Sequence, residues 1–275
     1  MKPKKIKSGI FVVAAIASTT LFAGGCESVR TTSAGAVGVD RKQQMLVPAS
    51  QIEEGAAQAY DAELKTARDK GVLNTDKAQL ARVTTIARRI VAATPTFRAD
   101  ATSWNWQFNV QKTQELNAYC MPGGRIMVYS GLIEKLDLTD AELATVLAHE
   151  VAHALREHTR ERVSRAYGQQ LVLSGVAAVT GVSQGTADLA NMIAQVTFQL
   201  PFSREQESEA DTIGLELMAR AGYDPREALT LWTKMNKAEQ GGQPKFLSTH
   251  PSPKDRSKDI QKLLPRVLPL YQAKK

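Results

Sequence analysis

Residues 139 to 155 read Thr139-Asp140-Ala141-Glu142-Leu143-Ala144-Thr145-Val146-Leu147-Ala148-His149-Glu150-Val151-Ala152-His153-Ala154-Leu155. Thr139 and Glu142 have the spacing of a capping box, in which a hydroxyl and a carboxylate satisfy the amide protons left unpaired at a helix start. Leu143, Val146, Leu147, Val151 and Ala154 then form an apolar stripe at helical spacing, and no proline or glycine follows until well past His158. The pattern predicts one helix over 139–165. Side chains four apart share a helix face, so His149 and His153 point the same way with Glu150 one residue round. Two imidazoles one turn apart beside a carboxylate form a metal site with an adjacent base.

Two neutral imidazoles and a carboxylate suit zinc, which keeps a further position open for water in catalytic sites. A third protein ligand is therefore needed. A third histidine six residues after the second is excluded, because Arg156 and Thr159 stand where such a pattern needs glycine and histidine. His158 lies five residues past His153, about 140 degrees round a continuous helix, and is expected as a polar helix-end residue outside the cluster. No acidic residue occurs between Glu161 and Asp188, so the ligand must come from further on. The dense source is Arg204-Glu205-Gln206-Glu207-Ser208-Glu209-Ala210-Asp211. As a helix this puts Glu207 and Asp211 on one face and Glu205 and Glu209 on another. Spacing alone leaves Glu205, Glu207 and Glu209 all open as ligands.

Upstream, Trp104 to Val110 alternates large apolar with polar residues, and Arg125 to Tyr129 is a β-prone run after the turn Pro122-Gly123-Gly124. They predict a small sheet beside the histidine helix, with an edge able to pair with an extended peptide. Downstream, the prolines of Phe246-Leu247-Ser248-Thr249-His250-Pro251-Ser252-Pro253 predict an extended loop. A histidine carried there to a metal site either stabilises an oxyanion or fills the open metal position. Arg256 is expected either to pair with an acid near the site or to lie in solvent. Helical periodicity covers 51–70, 76–92, 205–221 and 225–239, with a last helix near 254–264. The stretch from Leu171 to Val182 is too short to cross a bilayer and is expected as a buried helix.

Four motifs in order now carry a resemblance: Asn117-Ala118-Tyr119-Cys120-Met121-Pro122-Gly123-Gly124, His149-Glu150-Val151-Ala152-His153, Glu207-Ser208-Glu209-Ala210-Asp211 and His250-Pro251. Over roughly residues 50–265 the chain resembles the M48 family of zinc metalloproteases, and within it the bacterial periplasmic lipoproteins of quality-control type. The resemblance implies an α+β, mostly helical, zincin-like domain over 49–275 with a small sheet beside the HExxH helix. It implies one zinc ion held by His149, His153 and Glu207, with Asp211 behind a ligating imidazole. Glu150 and His250 would act in catalysis, and Asn117, Ala118, Tyr119 and Cys120 would line the substrate.

The amino terminus bears on location. Lys2, Lys4, Lys5 and Lys7 precede an apolar run from Ile10 to Phe22 and then Ala23-Gly24-Gly25-Cys26, a secretory signal ending in a lipobox-like site. Cleavage after residue 25 would leave Cys26 for lipidation and residues 26–48, rich in Ser, Thr, Gly and Val, as a flexible tether. Glu27 in place of aspartate leans towards the outer membrane, facing the periplasm. The formal charge of +7 includes those four lysines, so removal of the signal leaves +3. No basic patch with interleaved aromatics then argues for nucleic acid. Of 2 cysteines, acylation of Cys26 leaves Cys120 alone, so no internal disulfide is expected and Cys120 reads as a small core residue. Two function classes follow: a zinc endopeptidase acting on unfolded or misassembled envelope proteins, or a lipoprotein chaperone or scaffold whose zinc site is closed by His250.

Overall fold

The computed structural model describes residues 27–173, 186–239, 245–251 and 255–274. The signal run, Cys26, most of the 171–182 stretch and the prolines Pro244 and Pro253 lie outside them. Residues 27–48 do not form a tether. Strands β1 (Glu27–Val29) and β2 (Gln43–Met45) pair antiparallel, Glu27 opposite Met45. Val37, Met45 and Val47 are buried, as is the polar Gln43. The composition suggested a linker, but these apolar side chains dock the segment onto the domain.

Helices α1 (Ala49–Asp69) and α2 (Lys77–Ala93) follow. The small sheet comprises β3 (Gln107–Gln111), β4 (Ala118–Met121) and β5 (Arg125–Tyr129) in the order β3-β5-β4. The expected strand from Trp104 begins later, because Trp104 and Trp106 stack on each other at 5.5 Å ahead of it. β3 runs parallel to β5, whereas β4 and β5 form a hairpin through Gly123 and Gly124, at φ +80° and +85°. Those angles are open to glycine at little cost.

The remaining helices are α3 (Ser130–Lys135), α4 (Asp140–Leu155), α5 (His158–Leu173), α6 (Thr186–Phe198), α7 (Arg204–Arg220), α8 (Glu227–Glu239), α9 (Lys245–Thr249) and α10 (Arg256–Gln272). The capping box at Thr139 forms as read: Thr139 Oγ1 accepts the Glu142 N–H at 3.3 Å, and Glu142 Oε2 accepts the Thr139 N–H at 2.8 Å.

The helix predicted over 139–165 is in fact two. Glu157 takes a left-handed conformation at φ +51°, a helix stop that glycine usually supplies. Its carboxylate is held by Arg98 at 2.5 Å and by Arg160 at 2.7 Å, and the Arg156 carbonyl accepts from Gln43 at 2.6 Å. Tertiary partners thus impose a turn that local propensity does not announce. The segment before His250 also departs from the expected loop. Pro251 restricts only its own residue and the one before it, so Lys245–Thr249 winds into a turn of helix and His250 N–H donates to the Phe246 carbonyl at 2.8 Å. The last helix runs past the expected 264 to Gln272, through Pro265 and Pro269, anchored by buried Ile260 and Val267.

Candidate metal centre

α4 is buried along its length from Glu142 to Leu155, so its histidines have no freedom to swing. His149, Glu150 and His153 are each at most 3% exposed. Across from them lies α7, whose start is set by a second capping box between Ser203 and Gln206. Glu207, Asp211 and Gly214 fall at i, i+4 and i+7, one face of α7. Gly214 lets the helices touch: a Cβ there would stand 3.0 Å from the His149 backbone nitrogen. That close approach brings Glu207 to the histidines.

Four donors converge. His149 Nε2 and His153 Nε2 are 3.0 Å apart. Glu207 oxygens lie 3.4 Å from His153 Nε2 and 3.6 Å from His149 Nε2. His250 Nδ1 stands 3.0 Å from Glu207 Oε1 and 3.3 Å from His149 Nε2. One donor atom from each of the four residues falls within a 4.8 Å cluster. Ligands about 2.0–2.1 Å from a tetrahedral zinc are about 3.3 Å apart, so the spacing fits that ion. The chemistry fits too, since facing imidazole nitrogens present lone pairs to the same point. Burial would push Glu207 up, yet His250, His153 and His149 around it hold its carboxyl well below the usual range. Burial drives His153 well below the ordinary histidine value, which keeps it neutral. Of the acids that spacing left open, Glu205 is solvent-exposed and Glu209 turns elsewhere.

Behind His149, the Nδ1 atom meets Asp211 Oδ1 at 3.0 Å. Burial alone would lower the pKa of His149, but the Asp211 hydrogen bond and the charge of Glu207 raise it. Arg256 closes this side: it pairs with Glu207 and Asp211, each at 2.6 Å, and lies over the Trp232 ring. It is buried rather than solvated.

Behind His153 stands His158, which is not the peripheral residue the continuous helix implied. The break at Glu157 starts α5 on His158 and swings it inward, fully buried. Its Nδ1 is 2.8 Å from His153 Nδ1 and its Nε2 is 3.0 Å from Glu209 Oε2. Glu209 is in turn held by Arg156 and by Arg41 at 2.8 Å. Sequence reasoning named His158 and Glu209 but not these roles for them, and it missed Arg41; the available signal was a histidine left outside the cluster. It also missed Phe202, whose ring packs 4.0 Å from His153 and 5.0 Å from His250.

Peptidase family M48 matches residues 77–264, most of the chain and all four converging donors. The chain belongs to family M48. It is 41% identical over 157 residues to the mitochondrial metalloendopeptidase OMA1 of Arabidopsis thaliana, covering 56% of this chain and 30% of that protein. To the OMA1 of Schizosaccharomyces pombe it is 35% identical over 187 residues, 67% of this chain and 53% of that one. To the metalloprotease LoiP of Escherichia coli it is 29% identical over 213 residues, 75% and 83% of the two chains. The chain thus spans between 30% and 53% of these two OMA1 proteins. Zinc is the metal of the M48 family, and the donor cluster suits it.

In this M48 chain Glu150 and the strand edge also come together. Glu150 is buried, and its Oε1 has no hydrogen-bond partner among the described residues. Burial raises its pKa, partly offset by His250 and His149 and by the Cys120 backbone amide. His250 Nε2 is 3.5 Å from Glu150 Oε1. The Tyr129 N–H donates to the Asn117 carbonyl, so by alternation Ala118 and Cys120 turn their backbone polar groups off the sheet. The Asn117 side chain folds onto the Ala118 N–H at 3.0 Å, and Tyr119 is buried among Tyr60, Tyr129 and Phe198. Cys120 is buried, with its thiol pushed well up by desolvation. No helix among the described residues is long and apolar enough to cross a membrane.

Proposed function

We propose that the chain is a zinc-dependent endopeptidase acting on unfolded or misassembled envelope proteins, with His149, His153 and Glu207 as ligands and Glu150 as general base. The observation that carries this is the convergence of those donors beside a buried carboxylate oxygen that has no hydrogen-bond partner among the described residues. Zinc, when bound, acidifies water and polarises a peptide carbonyl. Glu150 takes the proton of the attacking water and returns it to the leaving nitrogen, a role favoured by a carboxyl whose pKa burial has raised. The outer edge of β4 offers the carbonyls of Ala118 and Cys120 for pairing with an extended peptide, with Asn117 and Tyr119 on either side of Ala118. Such pairing reads backbone rather than sequence and suits unfolded substrates. Asp211 orients His149.

The lipobox-like Ala23-Gly24-Gly25-Cys26 supports a lipid anchor at Cys26, and Glu27 supports the outer membrane, with the domain facing the periplasm. The position of His250 favours a second reading. Its Nδ1 stands among the ligand atoms, as a fourth ligand would, which suits a latent enzyme or a scaffold with a closed site.

Casein cleavage by the mature chain separates these readings. Wild type should cleave in a zinc-dependent way, and Glu150→Gln should keep stoichiometric zinc while losing at least about 100-fold in rate. Substantial proteolysis by that variant would sink the assignment. His250→Ala should raise turnover if His250 closes the site and lower it if it stabilises the oxyanion; unchanged kinetics reject both roles. A wild type and a His250→Ala variant that both bind zinc and cleave nothing would leave the scaffold.

A further inference from the structure

The hydrogen bonds behind His153 have one consistent proton arrangement. If Nε2 of His153 is kept free for a metal, its proton is on Nδ1, which then donates to His158 Nδ1 at 2.8 Å. His158 must therefore carry its own proton on Nε2, which donates to Glu209 Oε2 at 3.0 Å. Burial lowers the pKa of His158, in keeping with a neutral ring. Glu209 accepts the last proton of this line. Although burial pushes it up, hydrogen bonds from His158 and Arg41 bring its pKa to about 2. Arg41 belongs to the folded segment before α1 and reaches Glu209 at 2.8 and 3.0 Å and Glu161 at 2.6 and 2.9 Å. Gln43, two residues on, donates to the Arg156 carbonyl and to Glu161, so the same segment also holds the turn that presents His158.

We propose that Arg41 is a positioning residue for the metal centre, acting through Glu209 and His158 on His153, so that zinc retention depends on the docking of residues 27–47. The inference rests on the ligand assignment above and concerns a part of the chain that contributes no ligand. Groups that orient ligating imidazoles contribute about 10- to 100-fold to metal affinity, and Arg41 acts two contacts further out than His158, which holds that place here.

The test is zinc affinity of the mature chain, measured by competition with a chromophoric chelator, alongside melting of the zinc-free protein. Arg41→Ala should weaken zinc about tenfold. Arg41→Lys should fall between it and wild type, because an ammonium keeps the charge without bridging two carboxylates. Arg30→Ala removes an exposed pair with Asp40 on the same segment and should bind zinc like wild type. Should Arg41→Ala fail to fold, the lysine variant carries the comparison. Zinc affinity within twofold of wild type, even with a lower melting temperature, would make Arg41 merely structural and overturn the proposal. A wild type that binds no zinc would overturn the ligand assignment and this inference with it; a wild type that binds zinc confines any failure to Arg41.

Discussion

The two histidines of α4 have different kinds of support. His149 rests on Asp211, one turn from Glu207 on the same helix, and Arg256 pairs with both carboxylates. His153 rests on a second imidazole, then on Glu209, and finally on Arg41, 168 residues away from that glutamate in sequence. One arm is built from a helical spacing and a single distant cation; the other needs a broken helix and a docked amino-terminal segment. The first is therefore rigid wherever α7 forms, whereas the second depends on contacts that can be undone separately.

The largest expected effect lies on the His149 side. Arg256→Ala leaves buried Glu207 and Asp211 without their cation, and removing one partner of such a buried pair costs about 3–5 kcal/mol. Urea unfolding of the zinc-free protein measures it. Arg41→Ala should cost less in the same experiment, because Glu209 keeps Arg156 and Arg41 is partly solvated. Equal losses would break the asymmetry between the arms.

Gly214→Ala acts on both arms, since α7 carries Asp211 and Glu209 together. On an exposed helix the change would gain up to about 1 kcal/mol. Here the added methyl meets α4 backbone, and a net loss of about 1–3 kcal/mol is expected, with weaker zinc binding. A stabilised variant with wild-type zinc affinity would show that the helices can part without harm.

The smallest effect sharpens the contrast by pH. Despite burial, hydrogen bonds from Arg41, Gln206 and Gln43 bring the Glu161 pKa to about 2 from an ordinary 4.5. A carboxyl lowered in the folded state adds stability that is complete above about pH 4.5 and vanishes as the pH falls towards 2. Glu161→Gln should therefore flatten the acid limb of stability in that window, followed by circular dichroism. An unchanged slope would remove Glu161 from the account.

Several of these features were legible before any fold was known. The Thr139 capping box, the α4 stripe and the turn at Gly123 and Gly124 are local, and local pattern is what periodicity and turn chemistry report. Glu207 needed the family resemblance, because spacing treats Glu205, Glu207 and Glu209 alike until α4 lies beside them. The helix stop at Glu157 escaped because the usual glycine is missing and Arg98, Arg160 and Gln43 hold the turn instead. Residues 27–48 misled for the opposite reason: their composition suits a linker, while the burial of Val37, Met45 and Val47 depends on surfaces far along the chain.

By itself the sequence determined that His149, Glu150 and His153 share a helix and that Glu207 and Asp211 share another, since side-chain direction follows from the helical period. Only the tertiary structure decided that Gly214 brings those helices into contact, that His158 turns inward, that His250 Nδ1 joins the donors and that Arg41 ends the line behind His153. A contact between distant residues is set by how packed surfaces close on one another, and no local period encodes that closure.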